Sequence, residues 1–217
     1  SWDVIREYLS EEGLEYVMAK AALLNGGLLP NRSTITKVLI VGIGSGALAN
    51  YIQHTYPWSF TTMVERREKM ARFLLEWFQI YPMSRLKIYA EDPIKFVHNL
   101  AEKDTKFHVV FFNICPISFN HLPCPTARDL PEQTIRDIAK LVDHTGTFVI
   151  NLMTNGVDAT GAYEMQKHRL ERYFNECLLF TVKRLYNQVL SCSQTFHNRS
   201  RFPEVREFLD PFSTIAK

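Results

Sequence analysis

Residues Lys37-Val-Leu-Ile-Val41 form an unbroken apolar run that stops at Gly42-Ile43-Gly44-Ser45-Gly46. This junction constrains the fold more than any other feature of the chain. A short run of Val, Leu and Ile without polar alternation suits a strand covered on both faces, as in parallel sheets. The alternate glycines let the chain turn sharply and let a ligand approach the backbone. In open parallel sheets the ligand sits beyond the carboxyl ends of the strands, where strand order reverses. The spacing is GxGxG, not the GxGxxG of dinucleotide enzymes. No GKS or GKT follows, which excludes a triphosphate-binding P-loop. Taken alone, the loop is equally readable as a tight strand-to-helix turn.

Strand and helix patterns alternate along the whole chain. Helical spacing covers residues 3–24 and is stopped by Asn25-Gly26-Gly27. After the 37–41 strand the pattern predicts a helix at 48–56, closed by Pro57, and a strand at 61–64. An amphipathic helix is predicted at 68–81, with Met70, Phe73, Leu74, Trp77 and Phe78 inside. A strand at 86–90, a short helix at 94–100 and a strand at 108–112 follow. Beyond a proline-rich loop come a helix at 130–142, a strand at 147–153 and a helix at 161–177. Strands at 178–185 and 189–195, parted by Tyr186-Asn187-Gln188, form an antiparallel hairpin. The alternation predicts an α/β chain with a mostly parallel seven-stranded sheet, helices on both faces and a C-terminal hairpin. No repeat or linker divides the sequence, so residues 1–217 are expected to form one domain, with 1–36 as a helix and connector packed on the core.

Two acids extend the reading of the glycine loop. Glu65 ends the second strand, about 20 residues past the glycines, where an acid can accept from both hydroxyls of a ribose. It is equally a solvated strand-end carboxylate. Asp92 follows the third strand and can accept from an adenine amino group, or cap the helix that starts at Pro93. Those two roles are compatible. Glycines, ribose acid and adenine acid, in order at the ends of successive strands, point to an adenosyl ligand. A pyrophosphate would favour GxGxxG; an adenosyl-amino acid needs only close backbone approach.

The rest of the composition narrows the field. Hydrophobic residues at 46% can build a large core, and a net charge of +2 is too small to argue for nucleic acid or an anionic membrane. No apolar run is long enough to span a bilayer and no leader pattern is present, so a cytoplasmic protein is expected. Cys115, Cys124, Cys177 and Cys192 show no CxxC pair and no clustering with His. Free buried thiols are expected rather than disulfides. The histidines lack HxH or HxxxH spacing, so no metal is expected. Arg66-Arg67 and Lys183-Arg184 read as solvated basic pairs.

The segments Val38 to Gly46, Val64-Glu65 and Ala90-Glu-Asp92 resemble the spermidine-synthase-like branch of S-adenosylmethionine-dependent methyltransferases. Within that branch the chain looks most like the C-terminal domain of the methyltransferase-like enzymes acting on translation elongation factor 1-alpha. Ala21-Ala22-Leu23-Leu24 after Met18, Leu122-Pro-Cys-Pro125, and Gly146-Thr-Phe-Val-Ile-Asn-Leu152 carry the closer likeness. The resemblance implies the Rossmann-like methyltransferase fold, with the last strand inserted antiparallel. It implies S-adenosyl-L-methionine as cofactor, contacted by Gly42, Gly44, Gly46, Glu65 and Asp92. The implied acceptor is a protein amine, a lysine or an N-terminus. No nucleic-acid or membrane partner is implied, and a homodimer is left open.

One departure matters. Aminopropyltransferases of this branch carry an aspartate-rich loop after strand four. Here the sequence is Phe112-Asn113-Ile-Cys-Pro-Ile-Ser118, with Asn113 at the place of the first aspartate and no acid before Asp129. An amide cannot take a proton near neutral pH. Polyamine aminopropyl transfer is therefore disfavoured. Asn113 is the candidate catalytic residue, expected to orient the amine through its amide oxygen. The alternative is a catalytically weak or inactive protein of this fold that acts by protein association.

Overall fold

β1 (Lys37–Val41) is buried from Val38 to Val41 and exposed only at Lys37. That double burial places it inside the sheet, between β2 (Phe60–Glu65) and β4 (Phe107–Phe112), parallel to both. The computed structural model describes residues 6, 8–115, 124–126, 128–153, 159–183, 185–196 and 202–209. β3 (Leu86–Ala90) pairs with β2, and β5 (Val142–Met153) pairs with β4, all parallel. β6 (Glu176–Thr181) and β7 (Asn187–Ser193) form the antiparallel hairpin, with β7 inserted between β5 and β6. The strand order is β3-β2-β1-β4-β5-β7-β6. The chain builds outward from β1 to β3, then crosses back to β4. Strand order therefore reverses between β1 and β4, at the glycine loop.

Side chains alternate across β1 and feed two cores. Val38 and Ile40 pack with Met63, Val109 and Phe111 under α1 (Leu14–Leu24), α2 (Ala47–Thr55) and α7 (Phe202–Leu209). Leu39 and Val41 pack with Val110, Phe112 and Phe148 under α4 (Pro93–Glu102), α5 (Glu132–Leu141) and α6 (Ala159–Leu170). Helices cover both faces, as the alternation predicts. No helix among the described residues is long and apolar enough to cross a membrane.

Several boundaries differ from the expectation. α1 begins at Leu14, because Gly13 is its extended N-cap and residues 8–10 are irregular. Residues 1–5 and 7 lie outside the described part. α3 (Glu68–Trp77) stops short of residue 81 and buries only Ala71 and Leu74. Phe73 and Trp77 are 41% and 51% exposed, and stack on each other instead. α3 packs on β2 and on the edge strand β3, a floor narrower than the helix's apolar stripe. β5 starts at Val142, five residues early. Its register on β4 shifts between Phe107 and Val109, and Gly146 passes so close that a Cβ would lie 2.8 Å from the His108 carbonyl oxygen. α6 ends at Leu170, and the hairpin strands begin two residues earlier than the pattern indicated, with Cys177 already in β6.

The cysteine expectation is overturned. Cys177 and Cys192 face each other across the β6–β7 ladder and are joined by a disulfide. Cys115 is joined to Cys124, which itself bridges to Met153 at the end of β5. Sequence spacing carried no CxxC signal, because strand pairing, not proximity in the chain, brings these thiols within reach.

Candidate active site

Gly42 takes a φ of +83°, and its N–H donates to the Val64 carbonyl at 2.9 Å. A Cβ there would lie 2.5 Å from the Asn113 carbonyl oxygen, so the crossing of β1 and β4 admits only glycine. Gly44 is different. A Cβ on it would meet nothing nearer than Asn113 Nδ2 at 3.1 Å, and the residue lines an open cleft of about 390 Å³. Gly46 caps α2, and a Cβ there would press on Leu74 and Ile80 at 2.7 and 2.8 Å. It is absent from the cleft lining; close packing on α3 accounts for it.

Glu65 forms one side of the cleft with Arg66, Arg67 and Pro93. The residue is 6% exposed, and Oε1 accepts from the Arg67 backbone N–H at 3.0 Å and from Arg67 Nε at 3.2 Å. Among the described residues, Oε2 has no hydrogen-bond partner. Asp92 makes the capping contacts: its Oδ1 accepts from the N–H groups of Ile94 and Lys95 at 3.0 and 3.1 Å. Its Oδ2 takes Arg66 at 3.4 Å. Pro93 lines the cleft, whereas Asp92 does not. The two arginines, expected as a solvated pair, are each tied to one of the two acids and border the cleft. Basic residues directly after a strand-end acid are the only sequence signal for this.

Asn113, Ile114, Cys115 and Asp129 form the other side. The Asn113 N–H donates to the Val41 carbonyl at 2.8 Å, which fixes the backbone beside the glycine loop. Its side chain departs from expectation. Oδ1 accepts from Asn151 Nδ2 at 2.9 Å, so the amide oxygen is engaged and the donor, Nδ2, faces Gly44. Asn151 Oδ1 in turn accepts from Asn187 Nδ2 at 2.9 Å. A polar residue within the buried run Phe148-Val-Ile-Asn-Leu152 was the available signal, since a buried amide must find partners. Asp129, noted in the sequence only as the next acid, is brought into the cleft. Its Oδ2 accepts from Thr126 N–H at 3.1 Å and Thr126 Oγ1 at 2.7 Å. Residues 116–123, the rest of the loop read as lacking acids, lie outside the described part.

The donor set fits an adenosyl-amino acid. Gly44 offers an open backbone, Glu65 a nearly buried acceptor, Asn113 a donor and Asp129 a carboxylate. No lysine is among the described residues that line the cleft. Among the described residues, no group of three or more His, Cys, Asp or Glu is arranged to hold a metal.

No family model matches the chain. Curated relatives do. An eEF1A lysine and N-terminal methyltransferase from Xenopus laevis is 24% identical over 156 residues, covering 70% of this chain and 22% of that protein. The Drosophila melanogaster homolog is 25% identical over 189 residues, covering 87% of this chain and 27% of its own length. The chain therefore spans less than a third of these relatives. Among solved structures, human methyltransferase-like protein 13 in complex with SAH aligns with a TM-score of 0.77 at 20% identity, covering 94% of this chain and 92% of that one. A probable spermidine synthase from Corynebacterium glutamicum aligns at 0.65 and 20% identity, covering 93% and 72%. The fold is the Rossmann-like methyltransferase and spermidine synthase fold, and the chain is similar in sequence to the eEF1A methyltransferases.

Proposed function

We propose that this chain is an S-adenosylmethionine-dependent methyltransferase acting on a protein amine, a lysine side chain or an N-terminus. The observation that carries the reading is the convergence of Gly44, Glu65, Asn113 and Asp129 on one cleft at the strand-order reversal. The names of the relatives support the choice of a protein amine. S-adenosylmethionine, when bound, supplies an electrophilic methyl group on a sulfonium. Glu65 would hold the ribose through Oε2, and Pro93 would pack beside the adenine near Asp92. Gly42 and Gly44 would let the amino-acid part lie against the backbone. Asp129 is the carboxylate on the acceptor side. It can hold an ammonium and receive its proton, which an amide cannot do.

Asp129 is the single described acid on that side, and a polyamine carries more cationic groups than one carboxylate can pair. That favours methyl transfer over aminopropyl transfer. The second reading, a catalytically weak domain acting by association, draws on Asn113 standing where a stronger base could be. The two separate in one experiment. Isothermal titration with S-adenosylhomocysteine and S-adenosylmethionine should give micromolar affinity, about −8 kcal/mol. A radiolabelled methyl-transfer assay on extract and on purified elongation factor 1-alpha should then label a protein band. Binding without labelling favours association. No binding of either ligand refutes the cofactor reading. Product from decarboxylated S-adenosylmethionine and putrescine would favour aminopropyl transfer.

A further inference from the structure

Asn113 directly follows β4, Asn151 lies inside β5 and Asn187 starts β7. Their amides form a head-to-tail chain with both links at 2.9 Å. Such a chain has two polarities, because each amide can be turned end for end. One neighbour selects between them. Asn151 Nδ2 also lies 3.8 Å from Cys115 Sγ. A disulfide sulfur carries no hydrogen and can only accept. The opposite polarity would set the Asn151 oxygen against that sulfur with no proton between them. The amide of Asn151 therefore points Nδ2 toward Asn113, Asn113 receives it on Oδ1, and Asn113 Nδ2 is turned to the glycine loop.

We infer that Asn151 and Asn187 are positioning residues that hold Asn113 as a donor toward the ligand's amino-acid carboxylate, and so select S-adenosylmethionine over nucleosides lacking that carboxylate. The inference rests on the cofactor reading above. Glu65 and Pro93 occupy the β2–β3 side of the cleft, so the nucleoside belongs there. The remainder of an adenosyl-amino acid must then extend across Gly44 toward Asn113 and Cys115. Of the carboxylate, ammonium and sulfonium of S-adenosylmethionine, only the carboxylate can accept from an amide N–H. Asn187 does not line the cleft, so it acts on the ligand through Asn151 and Asn113 alone.

The test reverses the chain from its far end. Aspartate can only accept, so Asn187→Asp calls Asn151 Nδ2 toward itself with a charge-assisted bond. Asn151 then turns its oxygen to Asn113, Asn113 donates to it, and Asn113 Oδ1 faces the cleft. Affinities for S-adenosylhomocysteine and for 5′-methylthioadenosine, which lacks the amino-acid part, are measured by calorimetry. They are compared for the native protein, Asn187→Asp, Asn113→Ala and the double variant. Asn187→Asp should weaken S-adenosylhomocysteine about tenfold or more, the loss of one hydrogen bond to a charged group, and leave 5′-methylthioadenosine unchanged. In the Asn113→Ala background the same substitution should have no further effect. An equal effect with and without Asn113 would mean that the new charge acts through space, and would overturn the inference. Unchanged S-adenosylhomocysteine affinity, or equal weakening of both ligands, would overturn it too. If the native protein binds neither ligand, the cofactor reading itself has failed, and this inference with it.

Discussion

Glu65→Gln separates the ribose contact proposed for this side chain from its structural one. In the native protein Oε1 holds the Arg67 backbone N–H at 3.0 Å and Nε at 3.2 Å, leaving Oε2 for a ribose. Glutamine retains one acceptor oxygen. The two Arg67 donors converge on one point, so that oxygen stays with them, and the new NH2 group faces the ribose. The ribose thereby loses a charged acceptor, and a hydrogen bond of that kind contributes about 1.5–3 kcal/mol. S-adenosylhomocysteine affinity should fall by roughly 10–150-fold. The fold should barely notice. The Arg67 guanidinium is half exposed, and such a pair contributes under about 1 kcal/mol. Glu65→Ala also orphans the Arg67 N–H, so it should lose similar affinity and in addition about 1 kcal/mol of stability. Calorimetric titration and urea unfolding read the two quantities independently. Native-like affinity in Glu65→Gln would refute the reasoning, because it would show that Glu65 serves only the turn between β2 and α3.

The glycines should divide in the same way. Gly46→Ala, at φ +80° with buried Leu74 and Ile80 in the way, should cost about 1–3 kcal/mol in urea unfolding, while the folded fraction binds normally. Gly44→Ala should cost less stability and weaken S-adenosylhomocysteine in calorimetry. His98 carries a pH dependence. Its Nδ1 contact with the Asp137 carboxylate at 2.9 Å, chiefly, raises its pKa above the ordinary 6.5. A pKa raised on folding stabilises fully below the unfolded value and fades as pH rises through the folded one. Native stability relative to His98→Ala should therefore be larger at pH 6 than at pH 9 in paired urea titrations. The Cys177–Cys192 link joins residues 15 apart in sequence. Opening a loop of that size costs about 3 kcal/mol, so replacing both Cys177 and Cys192 with Ser should lower the melting temperature by roughly 6–12 °C. Four titratable thiols in unreduced, denatured protein would contradict both disulfides.

Local pattern carried the sheet. β1 and β3 match the predicted spans to the residue, because an unbroken apolar run closed by glycines and a run closed by an acid have few other uses. The places of Glu65 at a strand end and of Gly44 in the loop after β1 are legible for the same reason, since strand ends and tight turns are local features. The apolar face of α3 was legible too, but not how much of it would be covered. That depends on α3 lying over the edge of the sheet, where Phe73 and Trp77 find no floor. The early part of β5 was hidden because Asp143-His-Thr-Gly146 has the composition of a turn. Its extension depends on Gly146 passing under the irregular start of β4.

The misplaced hairpin and the unforeseen amide chain are one error. With strands read at 178–185 and 189–195, Asn187 falls in a solvated turn, where an asparagine needs no partner. The ladder instead pairs Met153 with Asn187 and Asn151 with Val189, which makes Asn187 the first residue of β7. From that position its side chain can reach Asn151, 36 residues away in sequence. Asn151 is 3% exposed and cannot leave its amide unpaired, so once Asn187 is in place the rest follows by elimination. The Cys115 sulfur excludes one polarity, Asn187 takes the oxygen, and Asn113, 38 residues away, receives the remaining donor. Which end of Asn113 faces Gly44 and the cleft is thus set by register two strands away in the sheet. The sequence around Asn113 holds no trace of it: read from that loop alone, Asn113 offers its oxygen to an acceptor amine, whereas in the fold that oxygen already accepts from Asn151.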